Sequence, residues 1–121
     1  VAGAVKEVRV IPGSVTMDVI KKPDGSLGIV DGTSYQFSQA RGLVVIDSPV
    51  GWVAVLPIGM AQVSSVTLTA EVGTSLAKGE EFGFFSFGGS DIVMLFEANK
   101  VRLEAKEGTP YNQGRRIGRA I

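Results

Sequence analysis

These 121 residues predict an all-β domain, a compact sandwich or barrel with little or no helix. Sixteen glycines punctuate short segments rich in Val, Ile, Phe and Thr. Several of those segments alternate apolar and polar residues, the period of a half-buried strand. No window sustains a 3.6-residue apolar period between capping residues, so no helix is expected.

In chain order, residues 4–11 (AVKEVRVI) alternate and stop at Pro12-Gly13. Residues 15–20 (VTMDVI) alternate again and end at the turn Lys22-Pro23-Asp24-Gly25. Residues 42–48 (GLVVIDS) meet a hairpin turn at Pro49-Val50-Gly51 and continue into 52–60 (WVAVLPIGM). Further strands are expected over 61–72, 81–87, 92–97 and 101–105. The length suits one domain over 1–121, and 45% apolar residues argue against disorder.

Composition excludes several chemistries. With no cysteine there is neither a disulfide framework nor a thiolate metal site. With no histidine, Ser–His catalysis, His-ligated zinc and imidazole base chemistry cannot come from this chain alone, and no metal is expected. A formal net charge of zero gives no global field to steer a polyanion, so no nucleic acid is expected. From Lys100 onward, however, six Lys/Arg face two acids, read here as a solvated surface and the single hint of lipid. The longest apolar run, 50–63, holds Pro57 and two glycines and is too short for a spanning helix. No secretory signal is visible, which points to a cytoplasmic or peripheral membrane location. The chain starts at VAGAVKEV in what reads as mid-strand, as expected of a C-terminal fragment or of the ordered part of something longer.

An internal repeat is legible. VGTSLAKGEEFG (72–83) aligns with EGTPYNQGRRIG (107–118), matching Gly73 to Gly108, Thr74 to Thr109, Gly79 to Gly114 and Gly83 to Gly118. Leu76 and Tyr111 match in character, as do Phe82 and Ile117. Glycines at matched turns imply matched backbone demands, most simply a positive φ. The expected arrangement is a two-fold-like pair of hairpins in a barrel-sandwich-hybrid-like unit.

The stretch GFFSFGGSDIVMLF (83–96) interrupts an apolar run with Gly88-Gly89-Ser90. A glycine-rich corner is the plain reading. The apolar flanks place the triplet beside a core, where water is excluded and a strained peptide can be held. Gly89 has no side chain to obstruct attack on its carbonyl, and Ser90 supplies a hydroxyl next door. An N→O acyl shift to Ser90 Oγ, β-elimination and hydrolysis of the resulting dehydroalanine would cut the chain and leave an N-terminal pyruvoyl group. That ketone can form an imine with a substrate amine and take up the electrons released as CO₂ departs.

KGEEFGFFSFGGSDIVMLFE (78–97) resembles the C-terminal signature of the phosphatidylserine decarboxylase family. VAVLPIGMAQVSSVTLTAEVGTSLAKG (53–79) is similar to the preceding family block, and VAGAVKEVRVIPG (1–13) to the stretch after its entry motif. The wording of 59–65 looks closer to the soluble, aromatic-amino-acid-decarboxylase-like branch. The resemblance implies a self-processed, pyruvoyl-dependent carboxy-lyase, a zymogen cut at Gly89-Ser90, with Ser90 as the pyruvoyl precursor. Residues 1–89 would be β-chain and 90–121 α-chain material. It also implies an upstream Asp–His pair assisting cleavage, to be supplied by a missing segment. Departures are Phe87-Gly88-Gly89 in place of Leu-Gly before the serine, and Asp91 in place of threonine after it.

The implied substrate is an amine-bearing carboxylic acid, phosphatidylserine or an amino acid. Met60, Gln62 and Ser64 lie on the strand that the resemblance places near the reactive centre, as candidate substrate contacts. Asp91 is a candidate to orient the substrate amine, against a turn-capping or solvent-facing role. Trp52 reads as a core or rim anchor, Phe82, Phe84, Phe85 and Phe87 as mostly core, and Lys78 as a turn lysine. A homo-oligomer and a peripheral membrane contact stay open. The alternatives are a non-catalytic lipoyl-like carrier or interaction module, and an inactive family member.

Overall fold

A computed structural model of the chain describes residues 1–14, 17–31, 35–59 and 65–121. In chain order its elements are β1 (Gly3–Ile11), β2 (Met17–Lys21), β3 (Leu27–Asp31), a 3₁₀ turn Tyr35–Phe37, β4 (Arg41–Ser48) and β5 (Gly51–Pro57). β6 (Ser65–Leu68), β7 (Ser75–Leu76), β8 (Gly83–Ser86), β9 (Ile92–Phe96), β10 (Val101–Leu103) and β11 (Gly118–Ala120) follow. The fold is all-β, and its sheets are open: the described strands do not close into a barrel.

The central sheet runs β7-β1-β4-β5-β9, every neighbour antiparallel. Its inner face carries Val5, Val44, Ile46, Val53 and Val55, joined by Ala70 and Leu76, with Val8, Leu68, Phe82 and Phe96 packed against them. Val5 and Val8 are three residues apart, which strict alternation would place on opposite faces. A bulge between Val5 and Glu7 absorbs the extra residue, so both valines face inward. β4 and β5 form the hairpin that Pro49-Val50-Gly51 predicts; Gly51 turns at φ +89° and Ser48 Oγ donates to its carbonyl at 2.7 Å.

β2 and β3 form a separate hairpin around Gly25, at φ +85°. Asp24 fixes that turn by accepting the Ser26 hydroxyl at 2.6 Å and the Ser26 N–H at 2.9 Å, and those bonds hold its carboxyl below the usual carboxylate value. The sequence reading missed β3, because Ile29 and Val30 break strict alternation, and missed the two-residue β7 and the three-residue β11 for want of length.

The internal repeat is a repeat of structure. β6 pairs β8 and β10 pairs β11, with Leu68↔Gly83 matched by Leu103↔Gly118. Thr69 and Ala70 N–H both donate to the Phe82 carbonyl, and Glu104 and Ala105 N–H both donate to the Ile117 carbonyl. Gly73 and Gly108 have φ +88° and +71°, Gly79 and Gly114 +86° and +84°. The expectation of one strand over 61–72 is corrected: β6 ends at Leu68, since the doubled bond to Phe82 stops the ladder and the chain turns at Gly73.

Candidate active site

The site is assembled where β5 runs out. Pro57 has no N–H, and the regular β4–β5 ladder ends at Val44↔Val55; beyond the proline only an isolated bridge, Arg41↔Ile58, continues it. On the other side the β5–β9 register Pro57↔Ile92 extends one step to Ile58 and Asp91. There the Ile58 N–H donates to the Asp91 carbonyl at 2.9 Å, and Ser90 Oγ donates to the Ile58 carbonyl at 2.6 Å. One fully buried residue therefore grips the Ser90-Asp91 pair by both of its backbone polar groups. The Gly59 N–H donates to Ala40 O at 2.9 Å, anchoring the same corner to the start of β4.

A second wall comes from the 3₁₀ turn. The Tyr35 hydroxyl donates to Asp91 Oδ2. Ser38 and Gln39 N–H bond back to the Tyr35 carbonyl at 3.2 and 3.0 Å, and the Ser14 N–H reaches Ser38 O at 3.0 Å. The Gln39 side chain is fully buried, and the Arg41 guanidinium donates to Gln39 O at 3.1 Å. Segments distant in sequence (Pro12–Ser14, Tyr35–Arg41, Ile58 and Ser90–Asp91) thus converge.

Gly89 lies beside this corner with open space where a side chain would begin: a Cβ placed there meets nothing within 4 Å. Gly88 turns at φ +107°, backbone that L side chains rarely adopt. The triplet is wetter than the apolar flanks imply. Phe87 is 93% exposed and Gly88 and Gly89 are exposed, while Ser90 is half-buried. Ile92, Met94 and Leu95 are exposed as well, because β9 is the edge strand of its sheet. The expectation that Phe82, Phe84, Phe85 and Phe87 are mostly core is corrected likewise: Phe82 packs on the core, whereas Phe84 and Phe87 are exposed. Trp52 is exposed at the start of β5, where its backbone N–H donates to Glu97 Oε1 at 3.0 Å.

Of the residues singled out from sequence, Gly89, Ser90 and Asp91 are consecutive and lie at this corner; Met60, Gln62 and Ser64 lie outside the described residues. Tyr35 and Ile58 were missed. Their signals are faint: a lone Tyr in a polar segment, and an Ile after the single Pro of an apolar run.

The family model for phosphatidylserine decarboxylase matches residues 1–119. The chain belongs to the phosphatidylserine decarboxylase family. Among curated relatives, it is similar to phosphatidylserine decarboxylase proenzyme 3 of Schizosaccharomyces pombe, 34% identical over 67% of this chain and 9% of that protein. It is 41% identical to the phosphatidylserine decarboxylase proenzyme of Chlamydia muridarum over 54% of this chain and 22% of that protein. Proenzyme 2 of Oryza sativa subsp. japonica is 37% identical over 51% of this chain and 10% of its own length. The matched region is thus a small part of each of these family members. No solved structure matches. Among the described residues no helix is long and apolar enough to cross a membrane, which says nothing of β-barrels.

Proposed function

We propose that this region carries the reactive centre of a self-processing, pyruvoyl-dependent decarboxylase acting on phosphatidylserine or a related amino acid. The observation that carries the reading is the grip of Ile58 on Ser90, beside a Gly89 that presents no side chain. The family membership and the word proenzyme in the relatives' names support it.

Chemically, the serine hydroxyl must add to the peptide carbonyl before it. Gly89 leaves that carbonyl unshielded, and the bond to Ile58 O fixes Ser90 Oγ instead of letting its rotamer sample solvent. As Oγ bonds to the Gly89 carbonyl carbon, its proton must leave and the Ser90 nitrogen must gain one; the result is an ester in place of the amide. Loss of the Ser90 α-proton then expels the Gly89 carboxylate, and water converts the dehydroalanine into the ketone with release of ammonia. Asp91, fixed by Tyr35, is the carboxylate nearest in sequence to these transfers. With no histidine in the sequence, an imidazole base would have to come from another part of the polypeptide. The pyruvoyl group, once formed, supplies a carbonyl that captures an amine and draws electrons from a neighbouring carboxylate. The half-buried position of Ser90, next to a Gly89 with open space where a side chain would begin, fits that group.

Intact-mass analysis of the complete polypeptide tests the proposal. Two pieces are expected, the smaller starting at residue 90 and adding hydroxylamine, with Ser90→Ala giving a single unreactive chain. A wild-type protein that stays whole and ignores hydroxylamine overturns it.

A further inference from the structure

The two bonds by which Ile58 holds the Ser90-Asp91 pair have different fates in the proposed cleavage. The Ile58 N–H donates to the Asp91 carbonyl, and none of those atoms reacts. The other bond runs from Ser90 Oγ to the Ile58 carbonyl at 2.6 Å, and its donor is lost. In the acyl shift Oγ bonds to the Gly89 carbonyl carbon and gives up its proton. In the elimination the Ser90 Cβ–Oγ bond breaks, and the oxygen leaves as part of the new Gly89 carboxylate. An ionised carboxylate only accepts, so it cannot replace the hydroxyl on the Ile58 carbonyl. Two acceptor oxygens at that distance repel. Gly88 and Gly89 are exposed, which gives the new terminus water to move into.

Ile58 is 1% exposed, so the released carbonyl is a buried acceptor that has lost its donor. Strand β4 cannot supply another. Arg41 and Ile58 face each other in the isolated bridge, and the bond on that side is made by the next residue, from the Gly59 N–H to Ala40 O at 2.9 Å. Both backbone polar groups of Ile58 point the other way, towards Ser90 and Asp91. Buried carbonyls in folded proteins are paired, and an orphaned one costs stability. Maturation thus creates, at the reactive corner, an acceptor in need of a donor.

We propose that the Ile58 carbonyl, given up by Ser90 Oγ, accepts the N–H of the substrate amine. This rests on the decarboxylase reading above and names a group of the chain that touches the substrate. Ser90 Cα, the carbon at which an amine is captured, is bonded to the carbon that carried the lost hydroxyl. The surviving bond from Ile58 N–H to Asp91 O keeps residue 90 against the corner throughout. A primary amine joined to a ketone carbon, with loss of water and gain of a proton, retains an N–H on a cationic nitrogen. A hydrogen bond from that nitrogen is charge-assisted, and it favours the charged form, the one that draws electrons from the neighbouring carboxylate.

The test is NMR on the complete polypeptide with Ile carbonyl carbons and Gly nitrogens isotope-labelled, so that only Ile-Gly pairs give a carbonyl-to-amide peak. Within residues 1–121 these pairs are Ile58-Gly59 and Ile117-Gly118. Ile58→Val deletes the first peak and so assigns it, and the second serves as reference. The cleaved protein is measured free, after capture of methylamine by cyanoborohydride reduction, and after capture of O-methylhydroxylamine, each adduct verified by mass. Methylamine leaves an N–H on the captured nitrogen; O-methylhydroxylamine occupies the same carbon and leaves none. The Ile58 carbonyl signal is expected to move downfield, as hydrogen-bonded carbonyls do, with methylamine and not with O-methylhydroxylamine. The Ile117 signal is expected to stay in place with both. No shift with methylamine overturns the proposal, as does an equal shift with both adducts, which reports occupancy alone. Either result leaves the decarboxylase reading intact, because the masses already show cleavage and capture. A polypeptide that stays whole, or captures neither amine, overturns that reading and this proposal together.

Discussion

Asp91 holds the position after Ser90, the proposed reactive serine, and its carboxylate is fixed by a phenol from a turn more than fifty residues upstream in sequence. Removing that phenol leaves the carboxylate able to rotate into solvent, because Asp91 is itself exposed. Tyr35→Phe is therefore expected to slow the proposed Gly89-Ser90 cleavage by about ten- to a hundredfold, the range that small misplacements cost, while the melting temperature stays near wild type. Following the two fragments by gel against time checks this. Unchanged cleavage would reduce the Tyr35–Asp91 bond to a surface contact. Ile58 acts through its backbone, so substitutions there report packing and not the grip itself. The sequence made Gly89 and Ser90 legible because their chemistry is local: a carbonyl without a neighbouring side chain and an adjacent hydroxyl. It could not reveal Tyr35 or Ile58, whose roles exist only once the turn after β3 and the end of β5 meet.

Among the elements, the two hairpin repeats differ in what holds them. Gly83 and Gly118 occupy the same place, and a Cβ at Gly83 would sit 2.5 Å from the Thr67 carbonyl oxygen, against 2.9 Å from the Arg102 carbonyl oxygen at Gly118. Both neighbours are backbone, so neither can step aside cheaply. Gly83→Ala is expected to cost stability by roughly 1–3 kcal/mol, as overpacking does, and more than Gly118→Ala, as read by denaturant midpoint. The outer repeat is tied by Glu104, which pairs with Arg116 and Arg119. The hydrogen bond from Arg119 is the main cause that holds the Glu104 carboxyl below its usual value, with Arg116 adding to it. A carboxyl lowered on folding stabilises the folded form above its unfolded value and loses that contribution as pH falls through the lowered one. Ordering of β10–β11 is thus expected to persist at neutral pH and to weaken in acid, once the pH falls below the ordinary carboxylate value towards the lowered one. Backbone amide shifts of Arg102 and Arg119 followed against pH check this, and Glu104→Gln is expected to remove the transition. The repeat was readable from glycine spacing, since φ near +85° at a turn leaves few other residues to use. Its charge reversal at Glu80/Arg115 and Glu81/Arg116 is contained in the same sequence alignment, and the shared register of the two hairpins extends the match beyond it.

For the whole molecule, a single central sheet carries the core and the site alike. Ile46 lies on that sheet between Val5 and Val53 in register. Ile46→Ala is expected to destabilise the chain by about 2–5 kcal/mol, a large fraction of the total for a domain of this size. Because β5 and β9 both belong to the sheet, thermal unfolding and loss of Gly89-Ser90 cleavage are expected to track one another in this variant, in contrast to Tyr35→Phe. The all-β class, the β4–β5 hairpin, the repeat and the Gly-Gly-Ser corner all followed from the amino-acid sequence, because each rests on interactions between residues close along the chain. Only the tertiary structure decided that β9 is an exposed edge, that Ile58 and Tyr35 hold the Ser90-Asp91 pair, and that one repeat packs on the core while its twin does not. Those outcomes depend on which strands meet across long separations, and alternation along a segment carries no record of its partner.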